Sequence, residues 1–303
     1  MKQLVPEILS TRKLPGGGIA DRPGGQFRVD ATAWAILCLR ACGERVDSLE
    51  NDRAKLRAEQ LDDGRVSSSK NHPSSYWPTP LAVLAWQDSP TCRTAQEHAI
   101  QFLLGSAGDH PTRKATDPWA HNTALKGWPW VEGTHSWIEP TALSLMALRV
   151  AGYGGHARAS EAVTMILDRQ LPHGGWNSGN TLIFGRELHP NPEGTGSALC
   201  ALAGEVDRKK IIKSLNYLKD EVERLRTPIS LGWTLLALAA WDEFPSQGGI
   251  LVERCLANRS RYGEYDTSAL CLLLLGDLAG RGEGKTNVFS PYGVASATGV
   301  LHH

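Results

Sequence analysis

Arg28-Val29-Asp30-Ala31-Thr32-Ala33-Trp34 opens an apolar run that lasts to Leu39, and the chain rewrites this stretch five more times. With Thr32 as reference, the pattern recurs at Thr79, Thr141 and Thr195, and more weakly at Leu231 and Ser268. The mean interval is about 47 residues, a period that marks a stacked or closed array of like units. Three residues past the reference the side chain is small: Ala35, Ala82, Ser144, Ala198, Thr234, Cys271. Four past it the residue is aliphatic, and seven past it stand Leu39, Trp86, Leu148, Leu202, Leu238 and Leu275. Offsets of three, four and seven share one helix face. The positions between are apolar as well, so these helices are greasy on every side and must be buried on every side.

Charged amphipathic stretches alternate with them, over 49–60, 93–104, 157–171, 208–222 and 250–258. In the fourth, Ile211, Leu215 and Leu218 oppose Lys209, Lys210, Lys213 and Glu221. Such a stripe belongs to an outer layer that is wet on one side. The pattern predicts an all-α protein, an α/α barrel with six buried inner helices and an amphipathic outer layer. An open solenoid is the alternative closure.

The 303 residues are read as one toroid over 28–280, preceded by a lead-in over 1–27 and followed by an irregular tail over 281–303. Lys+Arg and Asp+Glu are both 32, with no basic tract, which argues against a nucleic-acid partner. The longest apolar run, 231–241, is about half a membrane span, so no transmembrane segment is expected. No signal-peptide pattern opens the chain. Six cysteines without C-x-x-C spacing read as buried free thiols of a reducing compartment. The expected location is cytoplasmic, with peripheral attachment to a membrane as a variant of it.

Gln170-Leu171-Pro172-His173-Gly174-Gly175-Trp176 fits the spacing Q-x3-G-x-W, and Gln60-Leu61-Asp62-Asp63-Gly64 is a copy without the Trp. On these residues the chain resembles the squalene–hopene and oxidosqualene cyclase superfamily over about residues 25–278. The resemblance implies an (α/α)6 toroid, in which Trp176 braces the ring. The opening stretch is similar to the acid motif D-x-D-D-T-A of class II cyclases. Arg28 stands at its first Asp, Asp30 at the middle one, Ala31 at the last, and Thr32-Ala33 match. In that family the middle Asp protonates an alkene or epoxide, and an epoxide-opening branch keeps one Asp only.

Asp30 is therefore the candidate acid, and its second reading is the N-cap of the first inner helix. Glu139, Glu193 and Asp266 occupy the equivalent place in other copies. Of the ten Trp, Trp34, Trp86 and Trp241 read as core, and Trp77, Trp128, Trp130, Trp137 and Trp233 as candidates for the mouth of the funnel. There, indole faces would stabilise a cation. No metal-ligand pattern such as H-E-x-x-H occurs; no cofactor is expected, with Mg2+ only if the substrate is a diphosphate. Three functions follow. The first is acid-initiated cyclisation or isomerisation of a polyprenyl, isoprenoid-like apolar molecule, with a second helical domain protein or a homodimer completing the cavity. The second is a non-catalytic toroid scaffold, its funnel plugged and Asp30 capping its helix. The third is sugar cleavage by facing carboxylates beside Trp platforms.

Overall fold

Helices with no polar face can bury themselves only against one another, and here they do so as a ring. The computed structural model describes residues 4–112, 114, 116–281 and 289. The inner helices are α2 (Val29–Ala41), α4 (Pro78–Trp86), α6 (Ile138–Val150), α8 (Pro192–Leu202), α10 (Pro228–Ala240) and α13 (Thr267–Gly280). Every residue of α2 and α4 is buried. Each inner helix packs on the next, and α13 returns to pack on α2. The array is a closed toroid, not an open solenoid.

Outside it lie α1 (Leu4–Ser10), α3 (Glu50–Arg57), α5 (Arg93–Gly105), α7 (Ala157–Asp168), α9 (Ile212–Glu221) and α11 (Gly248–Ala257), with the single turn α12 (Arg259–Tyr262) after them. The lead-in thus supplies the sixth outer helix, since α1 lies against α2. Pro at the first helical position starts α4, α8 and α10, where its missing N–H costs nothing. None of the described helices is long and apolar enough to cross a membrane.

The reference Thr of the repeat has a structural task. Its hydroxyl, in the first turn of an inner helix, accepts a backbone N–H from the loop that precedes it. Ile19 donates to Thr32 (2.9 Å), Val66 to Thr79 (3.0 Å), Trp128 to Thr141 (3.0 Å) and Trp176 to Thr195 (2.9 Å). Those amides are buried, so removing the acceptor strands a donor. Thr195→Val is expected to cost about 1–3 kcal/mol. An unchanged urea midpoint for this variant would show that water replaces the hydroxyl.

The loop that each Thr holds is a tight turn. In Gln170–Trp176 the Leu171 N–H donates to Gly175 O (3.0 Å) and the Gly174 N–H to Leu171 O (2.8 Å). The same pair of bonds recurs at Leu61 and Gly64, and again at Leu14 and Gly17, a third copy that the sequence reading passed over. Gly17, Gly64 and Gly174 have φ of 85°, 91° and 100°. A Cβ there would stand 2.7 Å or less from the backbone of Asn51, His98 or Lys213, in the outer helix on which the turn sits. Only glycine fits both the left-handed φ and the contact. The Trp that follows braces the unit: the indole N–H of Trp176 donates to Ile166 O (2.7 Å), and that of Trp128 to Leu103 O (2.9 Å).

Three expectations change against the structure. The 172–192 connection holds a small hairpin, β1 (Leu182–Ile183) against β2 (Arg186–Glu187), turned by Phe184 and Gly185, both at positive φ. Asp30 is not an N-cap: Arg28 holds that place, and Asp30 is the second residue inside α2. The sixth copy is shifted by two residues. Gly196 meets the backbone of Trp233 in the next helix, and Gly232 meets that of Leu272. By this register Ser268, not Asp266, is the counterpart of Asp30. Asp266 instead caps α13, accepting the Ala269 N–H at 2.9 Å. The tail expected over 281–303 lies outside the described residues except for Arg281 and Phe289.

Candidate active site at the mouth of the toroid

The inner helices begin at one end of the ring, and the starts of five of them, α8 excepted, border a cavity of about 420 Å3. That volume suits a small organic molecule. An upper tier of side chains comes from the first turns and the residue before α4: Asp30, Trp77, Glu139, Ile229 and Ser268. One turn deeper stand Trp34, Leu81, Leu143, Trp233 and Leu272, each four residues after its upper partner. This spacing places each pair on one face of its helix. Trp130, from the 105–138 connection, leans edge-on against Trp77 with ring centroids 6.0 Å apart. Trp34 and Trp233 meet edge-to-face at 5.9 Å, and the ring of Phe289 lies 6.1 Å from each.

The carboxyl groups of the site have different surroundings. Asp30 is bound by the guanidinium of Arg28, whose Nε and Nη2 donate to its two oxygens at 2.9 Å each. Ser268 Oγ adds a third donor at 3.0 Å. This ion pair, with the hydrogen bond foremost, raises the pKa of Arg28 further. Glu139 is the opposite case. Half-buried against the cavity, it accepts no hydrogen bond among the described residues. Burial first, and then the neighbouring charge of Glu193, push its pKa up to about 7. The N-terminal end of α6 favours the anion, and desolvation outweighs it. Glu193 itself does not line the cavity and accepts a hydrogen bond from Ser230 Oγ.

Of the residues singled out in the sequence, Asp30, Trp77, Trp130, Glu139, Trp233 and Asp266 come together around this cavity. Trp128 does not: it is 1 % exposed, in the outer layer, with Arg158 stacked on its ring at 4.2 Å. Trp137 faces a separate side pocket. Trp34, read as core, is a wall of the cavity. Its place four residues after Asp30 was the available signal. Ser268, which donates to Asp30, was also missed, whereas Arg28 stands two residues before Asp30 in the motif itself. Among the described residues no group of three or more His, Cys, Asp or Glu is arranged to hold a metal ion.

No protein-family model matches the sequence, and no curated protein matches it. Solved structures match in fold. An alpha-1,6-mannanase of Salegentibacter sp., solved with alpha-1,6-mannotriose, has a TM-score of 0.60 at 10% identity, over 92% of this chain and 99% of that one. A protein from Actinoplanes gives 0.55 at 16% identity, over 87% and 80%. The ent-copalyl diphosphate synthase of Streptomyces platensis gives 0.53 at 17% identity, over 83% of this chain. The chain spans about half the length of that synthase, 49%. The shared property is the α/α toroid.

Proposed function

We propose that the toroid takes an apolar, isoprenoid-like molecule into its central cavity and isomerises or cyclises it, with Glu139 as the proton donor. One observation carries this reading: a carboxyl with a pKa of about 7 faces a void walled by indoles. Protonating an alkene requires an acid that keeps its proton near neutral pH, and burial beside a like charge is how proteins make one. The proton passes from Glu139 to an alkene carbon, leaving a carbocation. Trp77, Trp130, Trp34 and Trp233 present ring faces and edges on several sides of it. Loss of a proton from the rearranged cation restores the balance, so the net change is isomerisation.

Asp30, the acid suggested by the family motif, suits a different role. A proton placed on it would sit against the donors of Arg28, so the pair reads as an anchor at the rim. A second helical domain protein, or a second copy of the chain, would cover the open mouth; the half-length match to a terpene cyclase supports that arrangement. Mg2+ would enter only with a diphosphate substrate.

Sugar cleavage is the second reading. It is favoured by the mannanase match over nearly the whole of both chains, and by carboxyls beside the Trp77–Trp130 pair. The open cavity counts against a toroid plugged by its own side chains. To decide, the protein is incubated with farnesyl diphosphate, geranylgeranyl diphosphate and squalene, and in parallel with alpha-1,6-mannan. Isomerised or cyclised hydrocarbon is expected in the first set, with Asp30→Asn retaining turnover within about tenfold. Sugar release without hydrocarbon turnover transfers the site to the second reading, and no turnover of either kind defeats both.

A further inference from the structure

Beside the toroid mouth, the 105–138 connection and the segment after α7 enclose a second, smaller void of about 50 Å3. Trp119, His110, Ser136, Trp137, Arg169 and Asn180 are among its walls. Two of its donors are buried with no acceptor among the described residues: the indole N–H of Trp119 and Nε of Arg169. Arg169 is 5 % exposed, and its Nη1 is spent on Gly179 O at 2.7 Å. Asp168 stands 3.5 Å from that Nε, an ion-pair distance without a hydrogen bond, and its Oδ2 already accepts the Asn122 N–H at 2.9 Å. Asp168 does not face the void; the acid that does, Asp109, is exposed at the rim.

The two unpaired groups are one-sided, although the wall also carries acceptors in Asp109, Thr123 and Ser136. Indole and guanidinium nitrogens can only donate, and Asn180 can donate as well. Burial holds the His110 imidazole below its ordinary pKa against a hydrogen bond to Thr123 O, and the positive charges of Arg158, Lys126 and Arg169 add to that. Buried donors left without acceptors cost stability unless something fills the space. A hydrocarbon cannot satisfy them, and a cation would be repelled by Arg169. A tetrahedral oxyanion satisfies a guanidinium and an indole together, and charge assistance strengthens both bonds.

We propose that this side pocket is a binding site for a small oxyanion of the phosphate class, held by Arg169 and the indole N–H of Trp119. The site is separate from the central cavity and does not depend on how that cavity is read. Its occupant is a free phosphate ion or the phosphate end of a larger ligand, and two probes separate these sources.

The test measures binding by thermal shift and by 31P line broadening, using inorganic phosphate and, separately, geranyl diphosphate. Sodium chloride at matched ionic strength is the control. Phosphate is expected to raise the melting temperature saturably, with Trp119→Phe, which keeps the ring and loses the donor, weakening binding at least tenfold. Arg169→Gln is expected to abolish it. Binding of phosphate alone marks a free-ion site; tighter binding of geranyl diphosphate, equally sensitive to Trp119→Phe, marks a head-group site. If Arg169→Gln fails to fold, Trp119→Phe decides. The proposal is overturned if phosphate does no more than chloride, or if Trp119→Phe binds it as tightly as wild type.

Discussion

Glu139→Gln is expected to remove turnover and, at pH 8.5, to make the protein more stable than wild type. Both effects have one cause, the desolvated carboxyl whose pKa stands at about 7 against an ordinary 4.5. Below pH 4.5 the folded and unfolded chains both carry the proton, and this group contributes no difference. Between 4.5 and about 7 the unfolded chain ionises while the folded one does not, so stability falls as pH rises. Above about 7 the folded chain must hold the buried charge, and the full penalty is present. Its upper bound is about 3 kcal/mol, from roughly 1.4 kcal/mol per tenfold change in proton affinity. Water reaching through the mouth reduces it to about 1–2 kcal/mol.

The Gln variant never ionises. It should melt higher than wild type at pH 8.5 and alike at pH 4, a gap that equal shifts at both pH values would contradict. For turnover, deleting a general acid costs on the order of 10²–10⁴ in kcat. Wild-type kcat should fall as pH rises through about 7, the direction for a group that works protonated. A variant that keeps kcat within tenfold assigns the proton to another residue.

The ring was legible because burial is written into composition. A helix with no wet face can only be an inner one, and six such helices at unequal intervals call for a stacked or closed array; closure itself is seen in the packing of α13 on α2. The contents of the ring were less legible, because a helix apolar all round carries no mark of the side that faces the axis. The repeat shows in positions three, four and seven past Thr32, which are buried and do not line the cavity. The cavity is lined by positions two before and two after it, Asp30 and Trp34. The shift in the sixth copy has a local cause. Asp266-Thr267-Ser268 imitates the acid and hydroxyl of the repeat, but the Thr267 hydroxyl is spent on Ala20 O at 2.6 Å. The first turn, Leu14–Ile19, was hidden because neither Gln nor Trp marks it; its φ and backbone bonds are those of the other two. Asp30 is held by Arg28 and Ser268, whereas Glu139 is desolvated first and then placed near Glu193, with no hydrogen bond to accept among the described residues. Arg28 is near Asp30 in the chain, but Ser268 and Glu193 are far from their partners in sequence.

Arg12→Leu is expected to loosen the seam where the ring closes, at a cost of about 3 kcal/mol. A closed toroid must join its last inner helix to its first, and the two are far apart in sequence. Arg12 spans the gap. Only 1 % exposed, it donates from Nη1 to Asp21 O (3.2 Å), Tyr265 O (3.0 Å) and Thr267 Oγ1 (2.9 Å), and from Nη2 to Glu264 (3.2 Å). Burial lowers its pKa, yet a guanidinium keeps its charge under such a shift. Leu would fill part of the volume and strand the Tyr265 carbonyl, which has no other donor among the described residues. Hydrogen bonds from a charged donor are worth about 1.5–3 kcal/mol each. Against several of them stands the desolvation that Leu avoids, so the net falls well below their sum. Glu264 is half exposed and is left solvated, which also limits the loss.

Arg12→Lys should recover little, because one ammonium cannot reach two loops as a planar fork does. Hydrogen exchange separates this local seam from general weakening. The amides of Ala20 and Thr267, which donate to Arg12 O and Asp21 O, should exchange faster, while those in the middle of α6 and α8 keep their protection. An unfolding free energy from urea titration within about 1 kcal/mol of wild type would mean that the apolar packing of α13 on α2 closes the ring unaided. Because Asp21, Thr267 and Ser268 also line the cavity, a loosened seam should weaken ligand binding without altering the pH at which turnover is lost.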